Sequence, residues 1–112
     1  MSDERKQSLG TMSRRKIVQF AGIVQDFNPV HFDDEFARKA GLPQVIAQGP
    51  LTVAIALDAL VAQHGPALRS LNVRLKSPVF PGDELTLKTT QEGQIQVSCG
   101  DRAVISGELS LR

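Results

Sequence analysis

The longest apolar stretch of the chain predicts a buried helix. From Pro50 to Ala62 the side chains are apolar around nearly the whole circumference of a helix, and Asp58 is the one charged residue. Pro50 suits the first helical position, where its missing N–H has no intrahelical partner to lose. About thirteen residues at 1.5 Å each give a rod of roughly 20 Å, close to the width of a sheet of several strands. We therefore expect the rest of the protein to enclose this helix.

Downstream of the helix, alternating apolar and polar residues predict strands. The apolar positions of this alternation are Leu71, Val73, Leu75, Leu85, Leu87, Ile95, Val97 and Cys99. A last strand is expected from Ala103 to Leu111. Turn-forming residues separate the strands at Pro81-Gly82-Asp83, Glu92-Gly93 and Gly100-Asp101, so antiparallel pairing of strands adjacent in sequence is the economical topology.

One apolar helix wrapped by an antiparallel sheet is the hot-dog architecture, which belongs to the α+β class. With 112 residues and 41% hydrophobic content, the chain has room for one core. We predict a single domain over residues 1–112, with residues 1–12 as a polar N-terminal segment. A four-stranded sheet would leave an edge open, and such edges are normally paired or covered. The expected assembly is a homodimer in which the two sheets are continuous.

Two shorter helices are predicted before the apolar one. Ser13 can cap a helix that ends near Gln25, because apolar residues recur there at three- and four-residue spacing. Asp33 can cap a second helix that ends at Ala40, with acidic residues in its first turn and basic residues in its last. Between them, Asn28-Pro29 favours a turn, so Asp26 to Phe32 is predicted as a loop.

Composition and charge exclude some classes of function. Thirteen basic and 12 acidic residues are mixed along the chain and give a net charge of +1, so no broad basic surface for nucleic acid is expected. Cys99 is the only cysteine, which rules out an internal disulfide and fits a reducing, cytoplasmic location. The segment Met1 to Gly10 lacks the apolar stretch of a secretory signal. Polar residues interrupt the apolar stretch Val45 to Ala62, so burial in protein is expected there and not a membrane span.

The predicted loop carries the residues best suited to chemistry. Asp26 and His31 stand five positions apart across a proline-stiffened turn, where their side chains can converge. Imidazole titrates near neutral pH, and a nearby carboxylate can orient it or share a water with it, as general acid–base catalysis requires. Spacing alone also allows Asp26 to cap a turn and His31 to be an ordinary loop histidine.

A second candidate feature is Gln48-Gly49-Pro50, at the predicted N-terminus of the apolar helix. Backbone N–H groups point outward there and the helix dipole favours negative charge. Gly49 would let a carbonyl group approach closely, and its N–H could stabilise an oxyanion, since Pro50 has none. The same residues could simply start a helix.

Taken together, these motifs resemble those of one family. The run Asp26-Phe27-Asn28-Pro29-Val30-His31, followed by Ile46-Ala47-Gln48-Gly49-Pro50-Leu51 and Pro78-Val79-Phe80-Pro81-Gly82-Asp83, is similar to the MaoC-like (R)-specific enoyl-CoA hydratases and 3-hydroxyacyl dehydratases. The resemblance spans roughly residues 13 to 90.

The resemblance implies roles for five residues. Asp26 and His31 match the catalytic pair, Asn28 the supporting amide of the loop, and Gly49, with Gln48 beside it, the substrate-binding oxyanion site. The implied reaction is (R)-specific hydration of trans-2-enoyl-CoA or an acyl-carrier-protein thioester, or the reverse dehydration. No cofactor is expected, because coenzyme A is part of the substrate.

Some alternatives stay open. Gln48 and Pro50 stand where the family usually has His and Met, which affects the hydrogen bonding of the pocket. A non-catalytic or partner-dependent subunit of a hetero-oligomer, or a hot-dog thioesterase, remains a second hypothesis. A metal site is not predicted, since the chain has no His-x-His or His-Glu-x-x-His spacing.

Overall fold

Five strands form one antiparallel sheet in the computed structural model, which describes residues 4–112. The strands are β1 (Arg5–Thr11), β2 (Leu68–Leu75), β3 (Glu84–Thr89), β4 (Gln94–Cys99) and β5 (Arg102–Leu111). Their order in the sheet is β1-β3-β4-β5-β2, so β1 and β2 are its two edges. The three α-helices of the described residues are α1 (Arg14–Val24), α2 (Asp34–Lys39) and α3 (Gly49–His64). The sheet curves around α3, which confirms the predicted α+β, hot-dog architecture.

Strand β1 was not expected, and the prediction of four strands is therefore wrong. It lies within the segment that we predicted as polar, residues 1–12, of which residues 1–3 lie outside the described part. All residues of β1 except the half-buried Leu9 are exposed, so no apolar alternation marks the strand. Pairing with β3 creates it, from Arg5 opposite Thr89 to Thr11 opposite Glu84.

The predicted order of pairing is right for three strands and wrong for one. β3, β4 and β5 pair consecutively and antiparallel, as expected. β2 instead pairs with β5, with Val73 opposite Gly107 and Leu75 opposite Ile105. The connection between β2 and β3 contains Pro78 and Pro81, which cannot donate to a sheet ladder. This connection leads the chain across the sheet, and β1 occupies the edge of β3 that β2 would have taken.

The predicted helix caps are confirmed. The Ser13 hydroxyl accepts a hydrogen bond from the Lys16 N–H at 3.1 Å, and the Asp33 carboxylate accepts one from the Phe36 N–H at 3.1 Å. Gln25 ends α1 in the left-handed conformation, with φ of 58°. Each of these signals acts within one turn of helix, which is why the sequence places the helix ends well.

Helix α3 is covered on one side only. Its inner face packs into the core against the sheet, through the buried residues Leu51, Thr52, Ala56, Ala59 and Leu60. On the opposite face Leu57 is 38% exposed and Val61 48% exposed, and Asp58 is exposed beside them. The expectation of an enclosed helix is therefore wrong for this chain by itself, because the sheet wraps only half of the circumference.

Close approach of β2 to β5 makes Gly107 the most constrained glycine. A Cβ at this position would lie 2.0 Å from the Asn72 carbonyl oxygen and 2.9 Å from the Val73 Cα. We expect Gly107→Ala to lower the free energy of unfolding by roughly 2 kcal/mol or more, because the strands must separate. In contrast, Gly22→Ala in α1 meets nothing within 4 Å and should stabilise the protein by about 1 kcal/mol or less. Urea unfolding of both variants tests this, and a Gly107→Ala protein as stable as wild type would contradict it.

Candidate active site

Asp26 and His31 come together in the loop that follows α1. The left-handed Gln25 turns the chain, and the Asp26 N–H remains tied to the Ala21 carbonyl at 3.0 Å. His31 closes a 3₁₀ turn over Pro29–His31. Asp26 Oδ2 lies 3.4 Å from His31 Nε2, so the convergence predicted from the sequence is present.

Asn28 stabilises this loop from within. Its Oδ1 accepts a hydrogen bond from the Val30 N–H at 3.1 Å, which caps the 3₁₀ turn. The Asn28 N–H in turn donates to Asp26 Oδ1 at 3.3 Å. Asn28 therefore links the carboxylate of Asp26 and the turn that carries the imidazole, and its supporting role in catalysis stays a prediction.

A backbone carbonyl fixes the orientation of the imidazole. His31 Nδ1 lies 2.8 Å from the Ile46 carbonyl oxygen. Because a carbonyl oxygen only accepts, Nδ1 must carry the hydrogen, and Nε2 is directed to Asp26. The His31 side chain is 11% exposed and that of Asp26 41% exposed, so the carboxylate is the solvent-facing member of the pair. This arrangement leaves Nε2 as the nitrogen that can exchange a proton.

The N-terminus of α3 offers one unused backbone donor. The Leu51 and Thr52 N–H groups both donate to the Gln48 carbonyl, at 3.1 and 3.3 Å. Pro50 has no N–H, and the Gly49 N–H has no acceptor within residues 4–112. The Gly49 N–H, which the sequence analysis identified as a possible donor, is thus available to a ligand. The helix dipole favours a negative charge at this position.

Gln48 is held in the core. Its side chain is buried, with 2% of the residue exposed, and Nε2 donates to the Ile17 carbonyl at 3.0 Å. Oε1 is buried and has no hydrogen-bond partner within residues 4–112. The Gln48 amide therefore ties α1 to the start of α3, and its contact with substrate stays a prediction.

A cavity of about 290 Å³ opens beside Gly49. Its walls are Ile46, Ala47, Gly49, Thr52, Leu75, Lys76, Ser77, Pro78, Val79, Val104 and Ile105. Asp26 and His31 are not among these walls, but Ile46 supplies both a wall and the carbonyl that orients His31. The segment from Ile46 to Gly49 thus connects the Asp26–His31 pair, the Gly49 N–H and the cavity.

Sequence reasoning missed the contacts that hold this segment in place. Asp34 Oδ1 accepts a hydrogen bond from the Val45 N–H at 3.0 Å, and Oδ2 pairs with Arg14 at 2.8 Å. The Val45 N–H, and after it the Arg14 guanidinium, hold the pKa of Asp34 below its ordinary value. Asp34 also fits its place in the first turn of α2, so nothing in the sequence signals its bond to a residue eleven positions away.

Neither a metal centre nor a membrane helix is found in the described residues. No group of three or more His, Cys, Asp or Glu side chains among residues 4–112 could hold a metal ion. In the same residues, no helix has both the length and the apolar character needed to cross a bilayer.

The lowered pKa of Asp34 predicts a dependence of stability on pH. Its carboxylate stabilises the fold above the ordinary pKa of 3.8, and this contribution is lost as the pH falls through the lower pKa of the folded state. Asp34→Asn should therefore lower the thermal unfolding temperature at pH 7, and the difference from wild type should shrink below about pH 4. The control is Glu35→Gln, which loses only an exposed ion pair with Lys39. A difference that stays constant from pH 7 to pH 2 would contradict the assignment.

The comparisons of this chain with a family model and with named proteins agree with one another. The family described as "MaoC like domain" matches residues 3–110. Enoyl-CoA hydratase 2 of Arabidopsis thaliana, named as peroxisomal, is 33% identical over 96 residues, which cover 78% of this chain and 31% of that protein. The (R)-specific enoyl-CoA hydratase of Aeromonas caviae is 33% identical over 75 residues, covering 63% of this chain and 55% of that protein.

A solved structure extends the similarity to the fold. The MaoC-like dehydratase from Phytophthora capsici superimposes with a TM-score of 0.87 at 25% identity, over all of this chain and 43% of that one. In each of these comparisons the chain spans less than two thirds of the other protein.

Proposed function

Because this chain belongs to the family of MaoC-like domains, we propose that it hydrates trans-2-enoyl thioesters to (R)-3-hydroxyacyl thioesters, or catalyses the reverse dehydration. The observation that carries the proposal is the approach of Asp26 Oδ2 to His31 Nε2 at 3.4 Å; the Gly49 N–H is three residues after Ile46, whose carbonyl orients His31. The names of the two hydratase relatives support the reaction, and that of the bacterial one supports the (R) configuration. The acyl carrier is coenzyme A or an acyl-carrier protein.

In the proposed mechanism, Asp26 and His31 bind one water molecule between them. The water oxygen forms a bond to C3 as the C2–C3 double bond opens, and the pair takes up the proton that the water loses. Negative charge moves to the thioester oxygen, where the Gly49 N–H and the dipole of α3 stabilise it. A proton from the pair is then delivered to C2, so the elements of water are added. The hydrogen bond from Nδ1 to the Ile46 carbonyl makes Nε2 the site of proton exchange on His31. No cofactor takes part.

The uncovered surfaces support assembly with a second chain. Among residues 4–112, the outer edges of β1 and β2 pair with no strand, and Leu57 and Val61 on the outer face of α3 are exposed. We propose a homodimer with continuous sheets, and the alternative is a partner-dependent subunit that completes the site of another hot-dog chain. A cytoplasmic location stays a prediction.

The catalytic proposal predicts the effect of removing either member of the pair. Asp26→Asn and His31→Ala should each lower kcat/KM for crotonyl-CoA hydration by roughly 10²- to 10⁴-fold, measured as loss of the enoyl absorbance. His64→Ala is the matched control, because the other histidine of the chain lies at the opposite end of α3. Equal rates for wild type and the Asp26 and His31 variants would refute the mechanism. Activity that appears only with a co-purified partner would favour the subunit alternative, and release of free thiol would favour a thioesterase.

The proposed dimer predicts the mass of the particle in solution. Sedimentation at micromolar concentration should give twice the chain mass, and Val61→Glu should shift the equilibrium towards monomer by placing a charge on the apolar face of α3. A wild-type protein that sediments only as a monomer would rule the dimer out.

A further inference from the structure

Leu75 departs from the apolar alternation of its strand. Leu71 and Val73 are half-buried and pack against the core, as their positions in β2 predict. Leu75 occupies the next position of the same alternation, on the same face of the strand, yet it is 59% exposed. Its side chain therefore has a different neighbour from the rest of the strand.

That neighbour is the N-terminus of α3. Leu75 Cδ1 lies 2.6 Å from the position that a Cβ at residue 49 would occupy, and Cγ and Cδ2 each lie 3.7 Å from it. The isobutyl group thus lies against Gly49, and in this rotamer it would clash with a Cβ at residue 49. Gly49 and Leu75 also line the same cavity, so a group bound at the Gly49 N–H lies close to the Leu75 side chain.

The sheet fixes the position of Leu75 beside the helix terminus. Its backbone is opposite Ile105 in the sheet, and the Lys76 N–H after it donates to the Val104 carbonyl at 2.8 Å. Leu75 is therefore held by the sheet as one wall of the cavity beside Gly49.

We propose that Leu75 is a specificity-determining residue that restricts substitution at C2 of the acyl group. The inference rests on the proposed function, in which the thioester oxygen binds the Gly49 N–H. C2 is then one bond from the carbonyl carbon and next to Leu75. The cavity beside Leu75 has apolar walls at Val79, Val104 and Ile105, which suit the acyl side of the thioester, and polar walls at Thr52, Lys76 and Ser77. A hydrogen on C2 fits against the leucine, whereas a methyl group competes with it for the same space.

The kinetic test compares two substrates that differ by one methyl group at C2. For each protein, kcat/KM is measured with trans-2-methylbut-2-enoyl-CoA and with crotonyl-CoA, and the ratio of the two values is taken. Leu75→Ala should raise this ratio by about tenfold or more, the discrimination that one methyl group provides in an apolar pocket. Leu71→Ala is the control, because it removes a leucine from the same strand away from the cavity, and its ratio should stay within twofold of wild type.

A binding test separates this inference from the proposed reaction. Butyryl-CoA and 2-methylbutyryl-CoA have no double bond to hydrate, so the ratio of their dissociation constants reports fit alone. Leu75→Ala should shift this ratio towards the branched ligand even if the protein hydrates nothing, in which case the proposed function fails and the inference stands. The inference is overturned if wild type binds neither ligand, if the ratio is unchanged in Leu75→Ala, or if Leu71→Ala changes it as much. It is also overturned if sedimentation shows that Leu75→Ala alters the oligomeric state, since Leu75 would then be an interface residue.

Discussion

The hydrogen bond between His31 Nδ1 and the Ile46 carbonyl is the contact on which the geometry of the site depends. It joins the loop after α1 to the segment that leads into α3, across fifteen residues of sequence. Without it, the imidazole could rotate and Nε2 would no longer be directed to Asp26. The Asp34 carboxylate acts on the same segment by holding the neighbouring Val45 N–H. The acid–base pair and the helix N-terminus are therefore placed by backbone groups of one short connection.

Because of this connection, the core and the candidate site are built from different parts of the fold. The sheet and the inner face of α3 supply the core, and β2 brings Leu75 to the tip of the helix. The loop with Asp26 lies outside that core, and turn-forming side chains such as Asn28 give it a defined shape. The end of α3 thus belongs to the packed core, whereas the loop that carries Asp26 and His31 is stabilised by its own side chains.

Local features were predictable from the sequence, and long-range features were not. The caps Ser13 and Asp33 and the Asp26–His31 approach depend on residues within a few positions of each other. Strand β1 and the pairing of β2 with β5 depend on partners thirty or more residues away, and the polar β1 carries no alternation of its own. The Ile46 carbonyl was equally hidden, because every residue has a carbonyl and side-chain chemistry does not mark which one will be used.

Gln25, at the end of α1, lowers the stability of the fold slightly and restricts the backbone before Asp26. Gln25 adopts a left-handed conformation that glycine enters freely, and a side chain there costs about 1 kcal/mol. A glycine would relieve this strain, but it would also let the backbone before Asp26 sample many more conformations. The glutamine thus restricts the backbone conformations available just before Asp26. In this molecule a slightly strained residue thus precedes the carboxylate that lies beside the imidazole.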